Sequence, residues 1–201
     1  MIKRRSLEMA LEKLAKPKTP HPELEQYTTP ATIASDLLWT ALSYGDIQGK
    51  KVADLGCGNG ILGIGAAQIG ASTVSCYDSD PEMVSLCRSN ALAAGADISV
   101  ICADISSITD RFNSVVQNPP FGAQRRGADR PFLQAAIRIS NVTYSLHLAE
   151  TTDFVAEFCR SLGADAQHIK NYKFEIPFMF EFHDKPVELV DVALLRIVVR
   201  R

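Results

Sequence analysis

Three acidic residues, a glycine-rich turn and an Asn-Pro-Pro-Phe step each stand at the end of a short apolar run in this chain. In Lys51-Val-Ala-Asp54-Leu-Gly56-Cys-Gly58-Asn59-Gly60-Ile61, glycine lets backbone approach a ligand closely, and the helix that follows offers free amide donors at its N-terminus. Asp54, before the first glycine, suits a cationic ligand better than a pyrophosphate; its alternative role is to brace the turn. Asp78 closes the next run, about twenty residues on, where a carboxylate can accept both hydroxyls of a ribose. Asp80, preceding Pro81, reads as the N-cap of a helix. Asp104, followed by Ile105, could accept from an adenine amino group or serve as a turn residue. Asn118-Pro119-Pro120-Phe121 ends the fourth run. Two prolines forbid further strand pairing, remove two backbone donors and fix the chain direction, so an amide is left at the mouth of the sheet beside an aromatic ring.

The elements that must hold these residues alternate. Apolar, β-branched runs at Val52–Leu55, Thr73–Tyr77, Ile98–Cys102, Ser114–Gln117, Val142–Leu146 and Asp165–Ile176 are separated by helical segments such as Pro81–Ala94, Pro131–Ile139 and Thr152–Leu162. That repetition predicts an α/β fold with a mostly parallel sheet covered by helices on both faces. The seventh run, Val187–Val199, follows the sixth without a helix, so these two should pair antiparallel as a hairpin. Before the first strand, Leu7, Ala10, Leu11 and Leu14 recur at helical spacing over residues 1 to about 16, and KPKTPHP breaks the pattern. Ala31–Tyr44 reads as a second helix, with Thr29 as cap and Pro30 just inside. One domain over 1–201 is expected, with 1–22 an N-terminal arm or lid and 23–201 the catalytic core.

Composition narrows the class. At 201 residues, 46% hydrophobic and 22% charged, the chain is of globular type, and no apolar run reaches membrane-spanning length. The start carries basic residues but no apolar stretch before a cleavage site, so a cytoplasmic location is expected. Cys57, Cys76, Cys87, Cys102 and Cys159 form no CxxC pair, which disfavours a disulfide framework or zinc site and favours buried thiols; no metal is expected. The net charge of −2 does not by itself announce a nucleic-acid binder, yet Arg125, Arg126 and Arg130 cluster just after Asn-Pro-Pro-Phe, where phosphate contact is the functional reading. A lone His147 is more often structural, and Tyr172, Phe174, Pro177, Phe178, Phe180 and Phe182 are read mainly as packing.

Taken in order, the acid of DLGCGNG, the ribose acid, the adenine-side acid and NPPF resemble the class I S-adenosylmethionine-dependent methyltransferases, with their Rossmann-like, seven-stranded sheet and antiparallel last strand. Leu24-Glu-Gln26-Tyr27-Thr28-Thr29-Pro30, QNPPFG, Phe132-Leu133 and Tyr144-Ser145-Leu146-His147 are similar to the methyltransferase-like protein five family, which places N6-methyladenosine in small-subunit ribosomal RNA. The resemblance implies S-adenosylmethionine as cofactor, contacted by Gln26, Thr29, Asp54, Gly56, Gly58, Asn59, Ile61, Asp78, Asp104 and Ile105. It implies RNA as substrate and, by analogy with eukaryotic relatives, a small zinc-containing Trm112-type activator that adds a strand to the sheet edge. Leu148 stands where the family carries lysine, so a phosphate contact from that position is not carried over.

Given an activated methyl donor, Asn-Pro-Pro-Phe acquires a purpose. The exocyclic amine of a base is a poor nucleophile because its lone pair is delocalised into the ring. If the Asn118 side-chain oxygen and the Pro119 carbonyl accept its two N–H groups, with Pro120 fixing the backbone, they draw the nitrogen toward tetrahedral shape and aim it at the methyl. Phe121 would stack on the base. A glutamine-directed protein methyltransferase would use similar acceptors, usually with tyrosine in place of Phe121, and a catalytically silent binding module would keep the fold alone.

Overall fold

The computed structural model describes residues 2–17, 28–121, 127–177 and 187–200. Seven strands, β1 (Lys51–Leu55), β2 (Thr73–Asp78), β3 (Ser99–Cys102), β4 (Ser114–Gln117), β5 (Val142–Leu148), β6 (Ala164–Pro177) and β7 (Val187–Val199), make one sheet in the order β3-β2-β1-β4-β5-β7-β6. The first five are parallel; β7 runs antiparallel to both β5 and β6. The central strands are covered on both faces: β4 is buried throughout and β1 everywhere but Lys51. The helices are α1 (Arg4–Leu11), α2 (Ala31–Ser43), α3 (Ile61–Gln68), α4 (Pro81–Ala93), α5 (Arg130–Ile139) and α6 (Thr152–Ser161).

The chain order reverses between β1 and β4, which is where an open α/β sheet leaves a crevice at its carboxyl edge. Register makes that edge flush. Leu55 pairs with both Tyr77 and Gln117, so Gly56, Asp78 and Asn118 leave the sheet at one level.

Two expectations are corrected at the N-terminal side. The first helix ends at Leu11, short of residue 16, because the next turn is diverted: the Ala15 N–H and carbonyl go to Asn90 and Asn59 instead of the helix ladder. Its leucines nevertheless pack, with Leu7, Leu11 and Leu14 buried in one core with Leu37, Leu38, Ile61, Leu62 and Ile64. Thr29 does not cap α2. Pro30 occupies the cap position without a side-chain bond, and the Thr29 hydroxyl is taken by Asn118. The expected caps and turns elsewhere are found, including Asp80, which accepts from the Glu82 N–H at 2.8 Å.

Candidate active site

The site grows out of the glycine turn. Gly56 has φ of 66°, and a Cβ there would lie 2.9 Å from Phe132 Cε1, so only glycine allows β1 to turn beneath that ring. At Gly60, φ is 86° and a Cβ would stand 2.5 Å from Cys87 Sγ, which makes the last glycine of the turn equally constrained. Asp78 organises the turn from the neighbouring strand: Oδ2 accepts from the Gly58 N–H at 2.9 Å and Oδ1 from the Asp80 N–H at 3.0 Å. Burial raises its carboxyl above the ordinary aspartate value, opposed by those two N–H groups. Each oxygen retains a second lone pair, so the carboxylate can still receive ribose hydroxyls.

Gly56, Asp78, Asp104 and Ile105 line a single cleft of about 390 Å³, a volume within the range of small-molecule sites. The Asp104 carboxylate is exposed and held below its usual value by the Ser106 hydroxyl and N–H; one oxygen takes both bonds, at 2.5 and 2.8 Å. It is thus both the turn residue and the acid at the cleft, two readings the sequence left open. The opposite wall was not foreseen. Pro131, Phe132, Gln134, Ala135 and Arg138 of α5 face the same cleft, and Arg138 anchors the wall by donating to the carbonyls of Ile105 and Ser106, each at 3.2 Å. Positions 131, 134, 135 and 138 repeat at helical spacing, which is the signal that could have found them. The mixture of apolar wall, cleft-facing carboxylate and Cβ-free turn fits an adenosyl cofactor.

Other expected contacts lie elsewhere. Asp54 is 1% exposed, and its Oδ2 accepts from the Gly63 N–H at 2.7 Å, so it braces the start of α3 from below; burial pushes its carboxyl well above the ordinary range. Asn59 turns its amide away to the Ala15 carbonyl, at 3.1 Å. Ile61 is buried in the core. Gly58 serves the cleft through its N–H to Asp78. Gln26, Arg125 and Arg126 lie outside the described residues, as do Phe178, Phe180 and Phe182. Arg130 lays its guanidinium 4.7 Å from the Phe154 ring centroid and 5.7 Å from that of Phe158. Four cysteines are buried as expected, three of them, Cys57, Cys76 and Cys87, together beneath the glycine turn; Cys102, at the end of edge strand β3, is exposed, contrary to expectation.

Asn118 sits at the end of β4. Its Nδ2 donates to Thr29 Oγ1 at 3.0 Å, which fixes the amide plane, while Oδ1 is buried with no partner among the described residues. Pro119 is buried behind it, and Phe121 meets the fully buried Phe174 edge-on, with ring centroids 5.8 Å apart. Beside them runs a buried polar chain. Gln117 Nε2 donates to Ser145 Oγ at 3.0 Å, Ser145 Oγ meets His147 Nε2 at 2.7 Å, and His147 Nδ1 lies 3.2 Å from Asp129 Oδ2 at the start of α5. His147, 2% exposed, is structural: it ties β5 to α5.

The model of the methyltransferase small domain matches residues 30–143, which span the glycine turn, both cleft acids and Asn118. The rRNA N(6)-adenosine-methyltransferase METTL5 of Danio rerio is 34% identical over 97% of this chain and 98% of its own length. The Drosophila melanogaster protein of the same name is 31% identical over 97% and 96%. The chain belongs to the METTL5 family. The crystal structure of PH1948 from Pyrococcus horikoshii superposes with a TM-score of 0.92 at 43% identity, covering all of both chains. This METTL5-family member is therefore an S-adenosylmethionine-dependent methyltransferase of class I fold, and the cleft at the β1–β4 switch point is where its own geometry fits the cofactor. No helix among the described residues is long and apolar enough to cross a membrane.

Proposed function

We propose that the enzyme methylates N6 of an adenosine in small-subunit ribosomal RNA in the cytoplasm. The observation that carries this reading is the buried Asn118 Oδ1, without a partner among the described residues although its own Nδ2 is anchored on Thr29. An unmade hydrogen bond of this kind costs about 1–3 kcal/mol, and an incoming N–H donor relieves it. Asn118 Oδ1 and the Pro119 carbonyl together accept both hydrogens of an exocyclic NH2, which localises the nitrogen lone pair. The cofactor supplies a methyl group already activated on a sulfonium. As the N–C bond forms, the S–C bond would break and S-adenosylhomocysteine would leave as a neutral thioether, and the cationic nitrogen would then lose its proton to water, so no strong base is needed. Phe121, braced on Phe174, stacks against the flipped-out base. The acceptor class follows the names of the METTL5 relatives, and Arg125, Arg126 and Arg130 supply phosphate contacts in this reading. Gln26, Thr29, Asp54, Gly58, Asn59 and Ile61 support the cofactor directly or through the turn. A Trm112-type activator is the proposed partner for a sheet edge; β3, four residues long, is one such edge.

The test is product identification. Purified enzyme receives labelled S-adenosylmethionine with unmodified ribosomal RNA, an assembled small subunit, or a glutamine-bearing release-factor protein, each with and without a Trm112-type protein. N6-methyladenosine in the RNA is the expected product. Methylglutamine, or no product in any arm from a protein that binds the cofactor, would overturn the proposal.

A further inference from the structure

We infer that Asn90 is a positioning residue for the cofactor site, acting through the backbone of the glycine turn and of Ala15. Asn90 lies on α4, outside the cleft, and is 4% exposed. Its Oδ1 accepts from the Ala15 N–H at 2.9 Å. Its Nδ2 donates to the Ala15 carbonyl at 3.0 Å and to the Asn59 carbonyl at 2.9 Å. One buried amide thus reads both backbone groups of Ala15 and a carbonyl of the cofactor turn. The Asn59 amide adds a second bond to the Ala15 carbonyl, at 3.1 Å.

The route from Asn90 to the cleft is short and explicit. The bond to the Asn59 carbonyl holds the Asn59–Gly60 peptide, two peptide units on from the Gly58 N–H, which holds Asp78 Oδ2 at the cleft. Gly58 and Gly60 both carry positive φ, 52° and 86°, and the turn is held by hydrogen bonds, one within it from the Gly60 N–H to the Cys57 carbonyl at 2.8 Å and others to Asp78 and Asn90 outside it. Removing the Asn90 amide leaves the Asn59 carbonyl and the Ala15 N–H to find other partners, while the Ala15 carbonyl keeps the Asn59 amide. The N-terminal segment and the turn are then coupled: whatever orders one favours the other, and the linkage is reciprocal.

Asn90→Ala tests this, with S-adenosylhomocysteine as the probe in calorimetry and S-adenosylmethionine in kinetics. The expected result is a Kd and cofactor KM raised about tenfold, the equivalent of one lost hydrogen bond, with kcat at saturating cofactor within about twofold because nothing at Asn118 changes. A folded variant with wild-type Kd would overturn the proposal, as would equal loss of kcat with KM unchanged. The wild-type enzyme gives an independent test that needs no variant. Saturating S-adenosylhomocysteine should slow hydrogen exchange at the Ala15 amide while leaving the β7 amides as they were; an Ala15 amide indifferent to the ligand would contradict the coupling.

Discussion

Asp78 works at the scale of a single carboxylate, and its surroundings predict a pH signature. Burial raises its carboxyl above the ordinary aspartate value, so in the free enzyme the protonated form persists to higher pH than for an exposed aspartate. In the proposed cofactor site, the ionised carboxylate is the better acceptor for two ribose hydroxyls. Cofactor affinity should therefore weaken on acidification beginning above the ordinary aspartate range, and Asp78→Asn should bind weakly at every pH with this slope gone; calorimetry across pH checks both. Gly56→Ala should also raise the cofactor Kd about tenfold or more, since a Cβ meets Phe132 at 2.9 Å and a left-handed residue with a side chain costs about 1–2 kcal/mol. Both positions were readable as cleft residues because they stand at the carboxyl ends of adjacent strands. Asp54 and Asn59 stand in the same motif, but a tight turn must satisfy its own buried N–H and carbonyl groups, and their side chains are spent there. Nothing in residue spacing distinguishes the two fates.

Among the elements, α1 and α2 are joined to the edge strand β6 through one acid. Asp36 accepts from Arg4 at 2.5 Å, Lys170 at 2.7 Å and Tyr172 at 2.9 Å. Burial alone would raise its carboxyl, but the bonds from Lys170 and Tyr172 and the charges of Lys170 and Arg4 outweigh it and hold the value below the ordinary one. With the folded value depressed, the stabilisation is present above the unfolded aspartate pKa and is lost as pH falls through the folded one. Asp36→Asn should cost about 2 kcal/mol near neutrality, and the gap between variant and wild type in urea melts should close in acid. Helix and strand existence was readable from periodicity. The end of α1 was not, because Asn90, 75 positions after Ala15, decides it; nor was the duty of Thr29, set by Asn118 at a separation of 89. The α5 wall was present as a helical stripe and was passed over in favour of the loop before it.

For the whole molecule, the leucines of α1 share a core with the helix that follows the glycine turn, so the N-terminal segment and the cofactor site should melt as one unit. Leu11→Ala should cost about 2–5 kcal/mol and lower Tm by about 2–4 °C per kcal/mol, in a single transition. Two transitions would show that α1 is only lightly attached. In the proposed function the buried oxygen of Asn118 holds the amine that receives the methyl group. Single-turnover transfer to an adenosine-containing RNA, measured for wild type and Asn118→Ala at saturating S-adenosylmethionine with cofactor Kd determined on the same preparations, tests it most directly. The expected result is a transfer rate lowered about 10²–10³-fold with Kd within about twofold, since in the proposed function the side chain bonds the acceptor amine and not the cofactor. Transfer at the wild-type rate by Asn118→Ala would contradict the account.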